Sequence, residues 1–310
     1  MITFAVCTYN RCENLPKLLA AMTTQKSRYP YEVLVVDNNS KDETKEVVTN
    51  VMNNSATPLR YVFESQQGIT YARNRAISES LDSEILLFID DDEIPNEEFV
   101  DAAGQRLLEH DDDCVGGKVD VVLPSKEPKW FSEDLYGFLA AVDYGEETFR
   151  IVDRSTPIWT ANVGYRTEIF KSDPELRFDS RYNRSGNQIG GGSDAAMFWR
   201  LLEKDLKISY EPRMVVRHFV EDWRINRRYF VKLHYRGGFR FGQFRATPDQ
   251  YEGRRLAGIP LYLFTLFFKQ SSVASWKLLT NAKGAVRDAM NAAYTLGTIN
   301  GIRKSDAGID

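Results

Sequence analysis

The amino-acid sequence predicts an α/β fold with a mostly parallel central sheet flanked by helices, followed by a C-terminal helical appendage. Over the first 125 residues, short β-rich apolar runs alternate with segments in which apolar residues recur at helical spacing. Their connections are short, which is typical of parallel strands joined by crossover helices. The 310 residues are 43% hydrophobic and 27% charged. That balance predicts a buried core and excludes disorder, collagen and coiled coil for the chain as a whole.

Strands and helices alternate along this first part of the chain. Residues 85–89 form an uninterrupted apolar run, as expected for a parallel strand buried on both faces. A polar helix is expected to begin at Ser40, because Glu43 three residues later completes a capping-box pattern. The predicted strands are 2–8, 32–36, 60–63 and 84–89, and the other predicted helices are 14–22 and 71–81.

Charge is distributed unevenly along the chain. The net charge is −4, but residues 223–255 alone carry +7, which leaves −11 on the remainder. An acidic body with one basic segment argues against nucleic-acid binding and favours a local anionic partner. Three cysteines are too few and odd in number for a disulfide framework, so a reducing compartment is expected. The N-terminal residues lack a basic region and a cleavage site, and we expect no cleaved secretory signal.

Polar segments follow three of the predicted strands where each strand ends. In a parallel sheet, ligands bind beyond these carboxyl ends, so the segments are expected to meet at one edge. Neither a GxGxxG nor a GxxxxGK[ST] motif is present, which excludes the Rossmann dinucleotide fingerprint and the P-loop. The three segments are Thr8-Tyr9-Asn10-Arg11, Asp37-Asn38-Asn39-Ser40 and Asp90-Asp91-Asp92-Glu93.

The triplet Asp90, Asp91 and Asp92 is the sharpest chemical feature of the sequence. Adjacent carboxylates raise one another's pKa values unless a cation compensates. Mg²⁺ and Mn²⁺ prefer oxygen ligands and bind through one or two carboxylates plus substrate phosphates. The alternative is a solvated turn. Asp37 ends a neighbouring strand and could accept from a base N–H or a ribose hydroxyl, or could form an Asx turn.

Four segments over residues 1–220 resemble, in order and spacing, the successive signatures of family 2 glycosyltransferases. The resemblance implies an inverting, nucleotide-sugar-dependent enzyme of the GT-A fold. It also implies a divalent metal, Mg²⁺ or Mn²⁺, and a donor that is most commonly a UDP-sugar. The segments are Cys7-Thr8-Tyr9-Asn10-Arg11, Val35-Val36-Asp37-Asn38-Asn39-Ser40-Lys41-Asp42, Gly68-Ile69-Thr70-Tyr71-Ala72-Arg73-Asn74 and Phe88-Ile89-Asp90-Asp91-Asp92.

The same resemblance implies roles for individual positions. Asp92 would hold the metal, and His218 lies where a histidine of many family members completes that site. His218 could equally be a structural histidine. The residues implied to contact the nucleotide-sugar are Thr8, Asn10, Arg11, Asp37, Gly68, Arg73, Asn74, Asp90 and Asp91.

The acceptor side is implied by the second half of the match. Trp159 and Asn162 resemble the segment beneath the family's active site. Asp194, at the predicted start of a helix over 195–204, matches the catalytic base. Ser193 replaces the glutamate that usually precedes this base, and we place it on the acceptor side. The alternative is that Ser193 and Asp194 only favour the N-terminus of the helix.

The expected organisation is a catalytic domain over 1–222 and a basic, apolar helical region over 223–310. Within the first, 1–123 would bind the nucleotide-sugar and 124–222 the acceptor. The predicted reaction is metal-assisted transfer of a sugar to a glycan hydroxyl, with Asp194 as base. The alternatives are a nucleotidyltransferase that makes nucleotide-sugars and a non-catalytic nucleotide-sugar-binding module. The sequence does not identify the sugar, the nucleotide, the acceptor or the linkage.

Residues 256–268 are almost wholly apolar and follow the basic segment. Thirteen residues as helix reach about 20 Å, short of the roughly 30 Å hydrocarbon core of a bilayer. Basic residues beside an apolar run predict attachment to an anionic membrane surface through 223–270. The expected location is therefore cytoplasmic, on the inner face of the cell membrane, with a lipid-linked acceptor for cell-surface polysaccharide. The alternative is a helical hairpin that packs on the catalytic domain or in a homodimer.

Overall fold

The computed structural model describes residues 1–184, 189, 191–246, 253–280 and 282–306. The chain forms two compact units. The first consists of Met1–Val122, Ala140–Gly186 and Gly192–Phe219, and the second includes Leu123–Leu139 and Val220–Asp310. Residues 123–139 and 220–222, which the sequence-based division placed in the catalytic domain over 1–222, lie in the second unit. The assignment of donor- and acceptor-binding halves stays a prediction.

The first unit is built on one large sheet with the strand order β3-β2-β1-β4-β8-β6-β9-β5, in which β7 pairs with β9. The strands are β1 (Ile2–Thr8), β2 (Tyr31–Asp37), β3 (Leu59–Phe63), β4 (Ile85–Asp90), β5 (Glu93–Pro95), β6 (Cys114–Val122), β7 (Phe149–Ile151), β8 (Asn162–Arg166) and β9 (Ile208–Phe219). Strands β3, β2, β1 and β4 are parallel, and β8 adds antiparallel to β4. The predicted α/β fold class is confirmed.

The register of the parallel strands brings their polar ends together. Thr8 pairs with Asp37 across β1 and β2, and Cys7 pairs with Asp90 across β1 and β4. The residues of β4 from Ile85 to Ile89 are all buried, because both faces of this strand are covered. The three polar segments predicted from the sequence therefore lie at one edge of the sheet.

Strand β9 carries a distant part of the chain to the same edge. It runs parallel to β6 and pairs antiparallel with the short strand β5, which follows the aspartate triplet directly. This pairing places His218 opposite Glu93. A histidine more than one hundred residues from the triplet is thereby held next to it.

Helices α1 to α6 belong to the first unit. They are α1 (Leu15–Thr23), α2 (Thr44–Asn54), α3 (Ile69–Glu79), α4 (Phe99–Gly104, continued as a π-helix over Gln105–Glu109), α5 (Glu168–Ser172) and α6 (Ser193–Glu203). The predicted start at Ser40 is wrong, since α2 begins at Thr44 without a capping box. The Ser40 hydroxyl instead accepts from the backbone N–H of Asn10, and Asp42 accepts from the N–H and hydroxyl of Thr44.

The second unit is helical. Helix α7 (Arg227–Phe244) begins with the side chain of Asn226 accepting from the N–H of Tyr229. A hairpin of β10 (Arg255–Leu256) and β11 (Ile259–Pro260) precedes α8 (Leu261–Leu279), and α9 (Ala285–Asp306) follows. The apolar run 256–268 is therefore hairpin at first and helix only from Leu261. Within the described ranges, no helix combines the length and apolar character needed to cross a membrane.

Glycines set the distance between α7 and α9. A Cβ at Gly238 would lie 2.0 Å from the carbonyl oxygen of Tyr294, and one at Gly301 would lie 2.1 Å from that of Phe239. No side chain fits at either position, so the two backbones are in direct contact.

Candidate active site

The aspartate triplet after β4 is tied to the first loop. The hydroxyl of Thr8 donates to Asp91 Oδ2 at 2.8 Å, and Arg11 Nε lies 3.8 Å from Asp91 Oδ1. Burial and the neighbouring charge of Asp92 raise the pKa of Asp91 to about 7, although Arg11 and Thr8 act in the opposite direction. The predicted donor-site residues Thr8, Arg11 and Asp91 therefore form one contact group.

Arg73 joins the triplet to the start of α6. Its guanidinium NH2 lies 3.1 Å from Asp90 Oδ1, and its NH1 donates to Asp194 Oδ1 at 2.7 Å. Arg73 is only 5% exposed. Burial would lower its pKa, but the two carboxylates outweigh burial and raise it. A buried, permanently charged guanidinium thus bridges the predicted donor-site carboxylate and the predicted base.

Asp194 is held in its ionised form. Burial alone would raise its pKa, but the charge of Arg73 and a hydrogen bond from Thr160 hold that pKa below its ordinary value. Asp194 lies in the first turn of α6, where helical N–H groups also favour negative charge. Gly192 precedes the helix with φ 111°, a left-handed conformation suited to glycine. Gly190 of the same glycine run lies outside the described residues.

Ser193 faces the same arginine. Its hydroxyl is buried and accepts from Arg73 NH1 at 3.4 Å. A glutamate here would bring a third carboxylate to one guanidinium, whereas serine leaves Arg73 to Asp90 and Asp194. The acceptor role of Ser193 stays a prediction.

His218 and Asp92 are the pair most suited to a metal. Nε2 of His218 lies 3.4 Å from Asp92 Oδ2, and both side chains are largely buried. Among the described residues, no group of three or more His, Cys, Asp or Glu is arranged to hold a metal ion. One imidazole nitrogen and one carboxylate nevertheless fit a Mn²⁺ or Mg²⁺ ion whose remaining ligands come from substrate phosphates.

Glu93 ends the polar segment found in the sequence, where no role was assigned to it, and its side chain contacts the backbone of the triplet. It is buried and accepts from the backbone N–H of Asp90 at 3.0 Å. Burial and the charges of Asp90 and Asp92 raise its pKa well above the ordinary value. Its position directly after the triplet was the only sequence signal available.

The loop after β2 is shaped by its own polar groups. Asp37 Oδ1 accepts from the N–H of Ser40 at 2.9 Å, and Oδ2 accepts from the hydroxyl of Tyr61 at 2.7 Å. Asn10, with φ 51°, accepts from the N–H of Lys41 at 2.7 Å. The side chain of Asp37 thus bonds to its own loop three residues on, rather than two as in an Asx turn, and contact between Asp37 and a nucleotide base stays a prediction.

Gly68 lies directly against the side chain of Asn183. It has φ 141°, its N–H donates to Asn38 Oδ1 at 2.7 Å, and a Cβ would lie 1.9 Å from Asn183 Nδ2. Asn183 Oδ1 accepts from the N–H and hydroxyl of Thr70. Glycine is required here, and Asn183 is a second residue that the sequence gave no reason to select.

Asn74 and Asn162, predicted to contact the donor and the acceptor, form hydrogen bonds to the backbone of neighbouring segments. The amide of Asn74 donates to and accepts from the backbone of Phe178 at 2.9 and 2.8 Å. Asn162 is buried, and its Nδ2 donates to the carbonyls of Lys118 and Met214, both at 2.8 Å. Trp159 packs against the core at the turn before β8. The donor role of Asn74 and the acceptor roles of Asn162 and Trp159 stay predictions.

Sequence comparisons identify relatives of this chain. Residues 3–173 match the family described as glycosyl transferase family 2. Glycosyltransferase AglE of Haloferax volcanii is 35% identical over 127 residues, which is 40% of this chain and 41% of AglE. Hyaluronan synthase of Pasteurella multocida is 30% identical over 191 residues, 60% of this chain and 19% of the synthase. The chain thus spans less than half the length of these curated relatives.

Solved structures share the fold. Mannosyltransferase PcManGT from Pyrobaculum calidifontis, in complex with GDP-Man and Mn²⁺, matches with a TM-score of 0.60 and 17% identity over 96% of this chain and 85% of that one. TarS 1–349 from S. aureus, in complex with UDP-GlcNAc, matches with a TM-score of 0.56 and 16% identity over 96% and 90%. Because the family match covers more than half of the chain, this protein belongs to glycosyl transferase family 2 and is a glycosyltransferase with a GT-A-type fold.

Proposed function

We propose that this glycosyltransferase inverts the anomeric centre, moving a sugar from a nucleoside-diphosphate donor to a hydroxyl of a glycan acceptor. The observation that carries the proposal is the Arg73 bridge. One guanidinium contacts Asp90, at the predicted donor site, and Asp194, at the start of α6. The side chain of Arg73 therefore lies between the ionised carboxylate of Asp194 and the donor-site carboxylate of Asp90.

In the proposed reaction, Asp194 takes the proton from the acceptor hydroxyl as that oxygen attacks the anomeric carbon. The pKa of Asp194 is held low, so the carboxylate is ready to accept a proton at neutral pH. Proton transfer to a positioned side chain contributes about 10²–10⁴-fold to rate. Arg73 holds Asp194 through one hydrogen bond and restricts where its second oxygen can reach.

Asp92 and His218 would hold the divalent ion, and the structure of PcManGT is a complex with GDP-Man and Mn²⁺. A bound divalent ion supplies positive charge that stabilises a diphosphate leaving group. Asp91 and Arg11 lie beside these ligands and would contact the donor. UDP-sugars are the proposed donor class, in line with the UDP-GlcNAc bound to TarS.

A thermal-shift panel tests the donor and the metal together. The full chain is heated with UDP, GDP and their sugar conjugates, with and without Mn²⁺. A ligand at one hundred times its Kd stabilises the folded state by about 2.7 kcal/mol, so a true donor raises the melting temperature measurably. We expect UDP-sugars to do so only with Mn²⁺. If UDP-sugars raise the melting temperature equally without Mn²⁺, the assignment of Asp92 and His218 as metal ligands is contradicted.

We further propose that α8 attaches the enzyme to an anionic membrane surface, where a lipid-linked acceptor would be extended. Phe268, Trp276 and Leu279 are 66%, 69% and 83% exposed on this helix. Residues 253–284 contain five Lys or Arg and no Asp or Glu. Exposed aromatic and aliphatic side chains on a segment without acidic residues suit an anionic lipid surface, where each cation contributes about 1 kcal/mol. Lys277 is the exception among the cations, because it is paired with Asp288 of α9.

Liposome flotation tests this attachment. We expect the full chain to float with vesicles that contain anionic lipid, and a Phe268→Glu, Trp276→Glu double variant to remain in the soluble fraction. Val152→Glu is the matched control, because Val152 is an exposed apolar residue of the first unit, 78% exposed. If the double variant instead dissociates a dimer while flotation is absent throughout, α8 is an interface between subunits.

A further inference from the structure

The second unit contains a cleft of about 540 Å³ that lies outside the residues assigned to sugar transfer. Its walls come from α7, α8 and α9. The volume is within the range of small-molecule sites, which are mostly apolar with a few placed polar groups. Five residues of α9, between Arg287 and Thr298, border the cleft over about 16 Å.

One end of the cleft carries unpartnered donors. NH1 of Arg287 and Nδ1 of His234 are both buried, and among the described residues neither has a hydrogen-bond partner of good geometry. Phe138 fixes the two side chains, with its ring centroid 4.6 Å from the Arg287 guanidinium and 4.5 Å from the His234 ring. Asn291 lines the same end, one helical turn from Arg287. A buried polar group without a partner costs free energy, so these atoms are suited to a ligand.

The charge at this end is positive. Burial lowers the pKa of His234 to about 4, the nearby charge of Arg287 lowers it as well, and the carbonyl of Phe230 acts in the opposite direction. His234 is therefore neutral, and Arg287 supplies the positive charge. Asp134 forms an ion pair with Arg287, with Oδ2 3.9 Å from Nε, and it is half exposed. Among the described residues, no acceptor makes a hydrogen bond to NH1 of Arg287.

The other end is apolar. Phe241 of α7 and Leu263 and Leu266 of α8 line it, and Tyr262 stands at its rim, 45% exposed. The hydroxyl of Thr298, which also lines the cleft, donates to the carbonyl of Tyr294. The cleft thus has a cationic end and an apolar end.

We propose that this cleft binds a single-chain amphiphile with an anionic head group, the head at Arg287 and His234 and the aliphatic chain along Leu263 and Leu266. The proposal is independent of the sugar-transfer reaction. It requires only the geometry of the second unit.

Calorimetry on the full-length chain tests the proposal. The probes are decyl phosphate below its critical micelle concentration, decanol, and inorganic phosphate. We expect decyl phosphate to bind saturably at one per chain, decanol to bind at least tenfold more weakly, and phosphate alone to give no measurable binding. Arg287→Gln should weaken decyl phosphate about tenfold or more, the scale of a charge-assisted hydrogen bond, and leave decanol unchanged. Arg303→Gln, an exposed cation on the same helix, is the matched control.

A second variant and a spectroscopic readout locate the binding. Leu266→Trp should fill the apolar end and weaken both alkyl probes. The chain has only three histidines, so decyl phosphate should shift the NMR signal of His234 and leave that of His110 unchanged. Equal affinity of decyl phosphate and decanol would overturn the anionic subsite. An unshifted His234 signal, or an unaffected Leu266→Trp variant, would overturn the site itself.

Discussion

Replacing Asp194 by asparagine tests the proposed mechanism most directly. Asparagine keeps the size and one acceptor oxygen of the side chain, so the 2.7 Å contact with Arg73 NH1 can persist, but the charge and the basicity are lost. We expect the rate of nucleoside-diphosphate release with acceptor to fall about 10²–10⁴-fold, the range for removal of a general base. This corresponds to about 2.7–5.4 kcal/mol in the activation free energy.

Asp194→Asn should lower the free energy of unfolding by less than the loss of one partner does in most buried ion pairs. Removing the only partner of a buried charge costs about 3–5 kcal/mol. Arg73 keeps Asp90 at 3.1 Å, and Asp194 is itself partly exposed. We therefore expect the free energy of unfolding to fall by about 1–3 kcal/mol, the range for a weakened buried hydrogen bond. The variant should remain folded at the assay temperature.

The assay separates chemistry from binding. Release of nucleoside diphosphate gives the rate, and calorimetry with the donor found in the thermal-shift panel gives the affinity. Glu203→Gln is the matched control, since it removes one negative charge from the exposed face of the same helix, α6. The reasoning is refuted if donor affinity falls as far as the rate, or if Glu203→Gln slows the reaction equally.

Three further changes test the remaining assignments. Asp92→Ala should reduce nucleotide affinity in the presence of Mn²⁺ to the metal-free value, measured by calorimetry. Arg73→Met should shift the acid limb of the pH profile of kcat/KM to higher pH, because it removes the charge that opposes burial most strongly in setting the pKa of Asp194. In the native chain that pKa is depressed, so the stabilisation from ionised Asp194 is present above its ordinary pKa and is lost as pH falls through the lowered value. Gly68→Ala should lower the melting temperature, because its Cβ would meet the side chain of Asn183.

Each of these changes has a control and a result that would contradict it. Asp82→Ala, an exposed carboxylate, should leave metal-dependent affinity unchanged, and the ligand assignment fails if it does not. An acid limb that stays in place in Arg73→Met would show that Arg73 does not control the protonation of Asp194. Gly145→Ala, at φ 95° with nothing within 4 Å, measures backbone strain alone. A melting temperature equal to that of Gly68→Ala would rule out the clash.

Local patterns in the sequence determined the first half of the sheet. The continuous apolar run of β4 and the polar residues after three strands placed Thr8, Asp37 and Asp90 at one edge, and the register of β1 with β2 and β4 agrees. These inferences needed only the spacing of apolar residues, the polar residues that follow each strand, and the rule that the carboxyl ends of parallel strands lie at one edge of the sheet. The prediction of α2 from Ser40 was wrong because Ser40 bonds to Asn10, across the loops, rather than to its own helix.

Tertiary structure alone decided which distant residues meet. Arg73 could have been a solvated helix charge, and only the packing of α3 near α6 makes it the bridge between Asp90 and Asp194. His218 reaches Asp92 because β9 pairs with β5, a pairing that no local period encodes. The apolar run 256–268 predicted a membrane-binding surface from the sequence alone. The side-chain nitrogens of Arg287 and His234, in contrast, come together only because α7 packs against α9. Periodicity reports which face of an element is buried, but the partner on that face is set by long-range packing of the whole chain.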